Sequence, residues 1–244
     1  VTEVSDKYII NFKKIKFKLL KHNFGKISLK KIIKLKSELE LFNFFIKKKK
    51  DYNIVCDLGA NVGVHSIFLS KIFKKVTAYE PLNNHFQILE KNKKLNNIKN
   101  LKIVKKAVSF SRGTRTFNVL LDNTTASHLR ESTRSLYGNI LKKKVNVEDI
   151  NNIVRNCDLI KVDIEGLEGK IVKNINFAQN LPDFLIEVHN KKNSKIIFDH
   201  CKNKSLYSMF KLKNNKINRI KTFKSMPKNT TSGTLFLKYD KKIN

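Results

Sequence analysis

No stretch of this sequence approaches the roughly 18 consecutive apolar residues of a membrane helix. Its opening, VTEVSDKYII, carries acids where a signal peptide would carry an apolar core, so the expected location is cytoplasmic. Only three cysteines occur, Cys56, Cys157 and Cys201, far apart and without CxxC or Cys/His metal spacing. That pattern predicts reduced thiols and excludes a disulfide framework or a structural zinc. Arginine is scarce as well, confined to positions 112, 115, 130, 134, 155 and 219. Internal repeats and Pro/Gly-rich linkers are absent.

Lysine is what the chain has in excess. With 51 basic and 20 acidic residues, the formal net charge is +31. Such a charge attracts polyanions, whether nucleic acid or an anionic membrane surface. The shortage of arginine removes the residue best suited to bidentate phosphate and base contacts, which disfavours a nucleic-acid role. Lysine is also interspersed with Asn and Ile throughout, a set that AT-rich coding DNA enriches together, so the charge is weak evidence of function. A chain of 244 residues, 41% hydrophobic, can bury one α/β core. A composition shift near residue 50 separates a lysine-rich extension, 1–50, expected to be helical, from a main domain, 51–244. In the extension Ile32, Leu35, Leu39, Phe42 and Ile46 recur at steps of three and four, which predicts an amphipathic helix capping the core.

After residue 53 strand-like and helix-like segments alternate. Residues 53–58, 75–81, 101–109, 158–166 and 183–190 read as strands, with helical patterns at 64–75 and 85–95 and around EGKIVKNI. A β-rich insert contains TFNVLL and KKVNVEDI, and MFKLKN and GTLFLKYD read as late strands. Alternation of this kind implies a mostly parallel sheet with helices on both faces, with ligands bound beyond the carboxyl ends of the strands.

The first strand runs into D-L-G-A-N-V-G, residues 57–63. This is neither the G-x-G-x-x-G of a dinucleotide fold nor the G-x-x-x-x-G-K-[ST] of a phosphate-binding loop, so no pyrophosphate cradle is indicated. Gly59 and Gly63 let backbone pass close to a nucleoside, and Asp57 stands where a cationic end of a ligand would be held. Glu80, ending the second strand, lies at the distance where nucleotide-binding α/β folds place an acid on the ribose hydroxyls. Ribose, positive charge and no pyrophosphate together describe S-adenosylmethionine.

The segments DLGANVGVHS, AYEPLNNHFQILEKNKKLNN, VKKAVS, KVDIEGLEGKIV and LIEVH resemble the FkbM-type S-adenosylmethionine-dependent methyltransferases over roughly residues 50–240, with D-x-E-G-x-E the most specific element. The resemblance implies a Rossmann-like class I methyltransferase fold with a seven-stranded sheet, and O-methylation of a sugar, glycan or natural-product hydroxyl. It maps cofactor contacts onto Asp57, Gly59, Asn61 and Gly63, with Glu80 on the ribose.

Methyl transfer needs an aligned acceptor and removal of its proton. Asp163 and Glu165 end one predicted strand, and Glu187 and His189 end another. The expectation is that His189 or Asp163 takes the proton while Glu165 orients the acceptor, Glu168 serving as a favourable acid at the start of a helix. The bland alternatives are capping acids and a surface histidine; a hard divalent cation on the same groups is a further one. The hydroxyl-rich segment 113–144 is either a substrate lid or a surface hairpin. Two other functions stay open. One is methylation of RNA 2′-hydroxyls, since no Asn/Asp-Pro-Pro-Tyr element for base amines is present. The other is a non-catalytic scaffold that binds an anionic partner.

Overall fold

The computed structural model describes residues 1–176 and 181–240. Its centre is an eight-stranded sheet. Five strands run parallel in the order Leu101–Val104, Lys75–Tyr79, Ile54–Leu58, Leu159–Val162 and Asp183–Ile186. Thr234–Tyr239, Tyr207–Lys213 and Lys216–Arg219 continue it antiparallel. The sheet therefore has one strand more than the seven expected. The additional strand, Lys216–Arg219, is wholly exposed and carries no buried stripe to mark it. It forms because Asn214 and Asn215 both take left-handed backbone, at φ 53° and 58°, which closes a two-residue hairpin.

The central strands are buried on both faces, as parallel strands beneath helices must be. One face packs Cys56, Leu58, Ile160, Val162, Phe184 and Ile186 into a core with the helices Glu168–Lys173 and Lys191–Lys204. The other packs Val55, Val76, Leu159 and Leu185 against the helix Val64–Ser70 and the N-terminal extension.

That extension departs from the helical expectation. Thr2–Val4, Lys7–Phe12 and Ile15–Leu20 form an antiparallel three-stranded sheet, and Asn23–Phe24 pairs with Ile27–Ser28. Tyr8, Ile10, Phe17 and Leu19 are buried with a period of two, the pattern of strands. The expected long helix is two helices, Leu29–Ile33 and Lys36–Lys47, broken at Leu35. Leu35 and Leu39 are exposed, while Leu41, Phe42, Phe44 and Phe45 turn inward. Phe42 stacks on Phe68 with ring centroids 4.1 Å apart, and Phe17 meets both edge-on. Such contacts add about 0.5–1.5 kcal/mol each beyond the area they bury. The second helix thus caps the sheet, and the extension shares its core.

The stretch expected as one strand, 101–109, is divided: Ala107–Ser109 leaves the main sheet and joins Gly113–Leu120, His128–Leu129 and Ile140–Asp149 in a four-stranded sheet. Cys56 and Cys157 form a disulfide with Cα atoms 6.4 Å apart, contrary to the expectation of reduced thiols; Cys201 is free and buried. Strand pairing, invisible in the linear spacing, brings the two together. No helix of the described residues is long and apolar enough to cross a membrane.

Candidate active site

Four strand ends meet at a cavity of about 290 Å³. At the first, Gly59 adopts φ +79°, and a side chain there would lie 1.8 Å from the carbonyl oxygen of Asp163. Only glycine lets the loop pass this close to the neighbouring strand end. Its N–H and that of Ala60 donate to the Tyr79 carbonyl at 3.1 and 3.0 Å, which ties the loop to the second strand. Asn61 is also left-handed, and its side chain accepts from the Val62 N–H. Gly63 sits behind the wall, where a Cβ would strike Leu89.

Glu80 lies on the cavity wall, 5% exposed. One carboxylate oxygen accepts from the Asn61 N–H at 2.9 Å and the other from Leu82 N–H at 2.8 Å. Its orientation is thus fixed, with a lone pair on each oxygen left for hydroxyl donors.

Asp57 is placed differently from its expected role. It is completely buried and absent from the cavity wall. One oxygen accepts from Ser66 Oγ at 2.6 Å and the other lies 3.2 Å from Lys161 Nζ. Asp57 and Lys161 are direct partners in the parallel register, so the chain supplies the cation that a ligand was expected to bring.

Beyond the third and fourth strand ends stand the expected catalytic residues, brought together as predicted. His189 Nε2 is 3.6 Å from Asp163 and 3.2 Å from Glu165. Its Nδ1 is 2.8 Å from Glu168, which also accepts from the Gly166 N–H and the Asn193 amide. Glu168 is fully buried, so it is an anchor for His189 as well as the first residue of its helix. Spacing along the chain gives it only the helix role; its place in D-x-E-G-x-E is the available signal for the other.

Lys161 Nζ lies 3.5 Å from Asp163, making it a link between Asp57 and the cavity. The insert contributes too. Arg134 Nε is 3.0 Å from Glu165, and Ser132 Oγ donates to the Glu165 carbonyl at 2.6 Å. The segment 113–144 thereby walls the cavity from one side.

These contacts set protonation. Burial opposes charge on His189, but Glu165 and Glu168 outweigh it and hold the imidazole pKa well above its usual value. Burial would raise Asp163, yet Lys161 and the neighbouring histidines prevail and keep it low. Glu187, on the same wall, is pushed well up by burial and by the Asp163 charge. A charged His189 cannot accept a proton, so of the two expected bases only Asp163 is ready at neutral pH. One ligand atom each from Asp163, Glu165 and His189 lies within 4.8 Å of the others, a spacing that also suits a divalent cation.

The cavity fits an adenosyl sulfonium. It offers a carboxylate fixed by two backbone N–H groups, backbone that approaches closely at Gly59 and acidic groups at the far end, while the lining cations Lys106, Arg134 and Lys161 are each paired with a carboxylate.

Residues 57–204 match the model of the methyltransferase FkbM domain. A curated relative, methyltransferase sdnD of Sordaria araneosa, is 23% identical over 155 residues, covering 50% of this chain and 60% of that protein. The chain therefore spans less than two thirds of this relative. Among solved structures, an S-adenosylmethionine-dependent methyltransferase from Agrobacterium tumefaciens is similar with a TM-score of 0.51 at 7% identity, over 99% of this chain and 72% of that one. A T. thermophilus 16S rRNA N2 G1207 methyltransferase, solved with AdoMet and guanosine, gives a TM-score of 0.50 at 13% identity, over 96% of this chain and 50% of that one. At these identities the likeness is one of fold. By the match across residues 57–204, the chain belongs to the FkbM family of methyltransferases, whose methyl donor is S-adenosylmethionine.

Proposed function

We propose that this chain methylates a hydroxyl of a sugar, glycan or natural-product-like acceptor. When bound, S-adenosylmethionine supplies a methyl group on positively charged sulfur, already activated for displacement. The observation that carries the reading is the Asp163–Glu165–His189 cluster on the cavity wall, with Glu168 buried behind it. A neutral amine attacks through a free lone pair, whereas a hydroxyl must give up its proton, so a built proton acceptor favours oxygen.

In this reading Asp163 accepts that proton. Its low pKa makes it a weak base, and a weak base is enough: a hydroxyl oxygen gaining a methyl becomes far more acidic than a carboxylic acid as the new bond forms. Lys161 fixes one Asp163 oxygen, and His189 faces the other as a cation anchored by Glu168. Glu165, steadied by Arg134, orients the acceptor. Wall groups of the insert, Thr124, Thr125 and Ser127, add hydroxyl partners suited to a polyol.

Transfer of labelled methyl onto a panel of glycans, small hydroxylated compounds, lipids and RNA tests this. Label in a glycan or small molecule, stable to mild base as an ether, is expected; incorporation into RNA alone overturns the acceptor class.

A further inference from the structure

The N-terminal extension reaches the cavity through one acid. Glu38, in the first turn of the Lys36–Lys47 helix, lies on the cavity wall with its carboxylate 3.1 Å from His65 Nε2. It stands outside residues 57–204, the span that matches the family. His65, two positions after Gly63, is on the same wall. The side chains are 12% and 9% exposed, and Phe42 and Phe45 hold the imidazole edge-on, with centroids 5.6 and 6.2 Å away.

The pair is close enough for attraction yet lacks hydrogen-bond geometry, which leaves Nε2 buried without a hydrogen bond. A buried polar atom in that condition is costly, and one on a cavity wall has a partner available from whatever fills the cavity. The nearby Glu40 is unlike Glu38 in this respect, because its carboxylate is committed to the Asn214 N–H. Glu38 is also near enough to the reaction end to act on Lys161 and Glu187.

The ligand's charge pattern narrows what fits. An α-amino acid carries an ammonium and a carboxylate on one carbon, opposite charges a few ångströms apart. Glu38 and His65 present a carboxylate to accept from the ammonium and an imidazole N–H to donate to the carboxylate, at similar spacing. Asp57, the acid that sequence spacing placed at the ligand's cationic end, is sealed behind the wall and neutralised by Lys161, so that end needs another acid.

We propose that Glu38 and His65 form a subsite for the amino-acid end of the cofactor, Glu38 taking the ammonium and His65 the carboxylate. The proposal rests on the S-adenosylmethionine reading and extends it to a residue that the extension supplies. A charge-assisted hydrogen bond to an ammonium is then present with S-adenosylhomocysteine and absent with methylthioadenosine, which has the nucleoside and sulfur but no amino-acid tail.

Calorimetric titration of the unaltered chain and of Glu38→Gln with both compounds separates the possibilities. For S-adenosylhomocysteine, affinity is expected to fall about 10- to 100-fold in the variant. Methylthioadenosine should bind both proteins equally, which also reports that the variant is folded. Unchanged binding of both compounds overturns the subsite while leaving the nucleoside site in place, and an equal loss of both overturns it because Glu38 then does not act on the tail alone. If the unaltered chain binds neither compound, the cofactor reading itself fails. His65→Asn should show the same selectivity for the tailed ligand; equal binding of the tailed ligand by His65→Asn and the unaltered chain removes His65 from the proposal.

Discussion

Two ionic clusters lie two residues apart on the same strand end and have opposite characters. Asp57 and Lys161 face each other across the register of adjacent strands, Asp57 sealed from the cavity and held by Ser66 and by the Lys161 charge, while Lys161 reaches the cavity wall. Asp163, Glu165 and His189 stand just past the strand ends, on the cavity wall, with three carboxylates gathered around one imidazole. The first cluster is balanced in charge, its acid enclosed by the sheet; the second is acid-rich and open, with partners a substrate can exchange. Burial alone therefore does not mark chemistry, whereas burial together with incomplete pairing at a cavity does.

If the comparison is right, the two clusters fail in different ways. The largest effect is expected from Asp163→Asn, which keeps shape and removes the proposed proton acceptor. Turnover should fall about 10²- to 10⁴-fold, with S-adenosylhomocysteine affinity nearly intact. Activity close to that of the unaltered enzyme would strip Asp163 of its role. Next comes Lys161→Met, which leaves Asp57 buried without its counter-charge. Stability measured by urea unfolding should drop by about 3–5 kcal/mol. A small loss there would mean that Asp57 does not depend on Lys161 for its charge balance. Smaller again is Glu168→Gln, which weakens the hold on His189 Nδ1. Its imidazole pKa, followed by NMR titration, should move down toward the usual range, and turnover should fall about tenfold. An unmoved titration would show that Glu168 only starts its helix.

The same contrast explains what the sequence disclosed. The glycine loop and the acids at strand ends were legible because each sits at a spacing that local backbone geometry imposes. The partner of Asp57 was hidden, since Lys161 meets it only through strand register, far away in the chain. Glu168 looked like an ordinary helix-start acid because nothing local tells how deeply it is buried. In the extension, alternation at Tyr8, Ile10, Phe17 and Leu19 was present but short and interrupted by lysines, and the helical steps from Ile32 to Ile46 overrode it. Those steps selected Leu35 and Leu39, which face outward, because the helix breaks at Leu35 and restarts with a different face inward. Glu38 had no signal at all: its meaning comes from the helix docking beside the glycine loop.

The smallest expected effect is also the one that most sharply divides the two clusters, because it depends on pH. His189 has a pKa raised in the folded chain by Glu165 and Glu168 against the opposing effect of burial. A raised pKa means that the folded state binds the proton more tightly than the unfolded one. The resulting stabilisation is complete below the ordinary value of 6.5 and fades as pH climbs through the raised one. Proton binding that is tenfold tighter in the folded chain stabilises it by about 1.4 kcal/mol. The stability gap between the unaltered chain and His189→Gln should therefore be widest below the ordinary imidazole value of 6.5 and narrow as pH rises from there toward the raised one. Lys161 should show no such trend over that interval, since burial opposes its charge but Asp57 and Asp163 prevail and hold its pKa above the usual lysine range. A gap for His189→Gln that widens with pH would mean a neutral imidazole in the folded chain. His189 would then recover the role of base that its carboxylate neighbours now deny it.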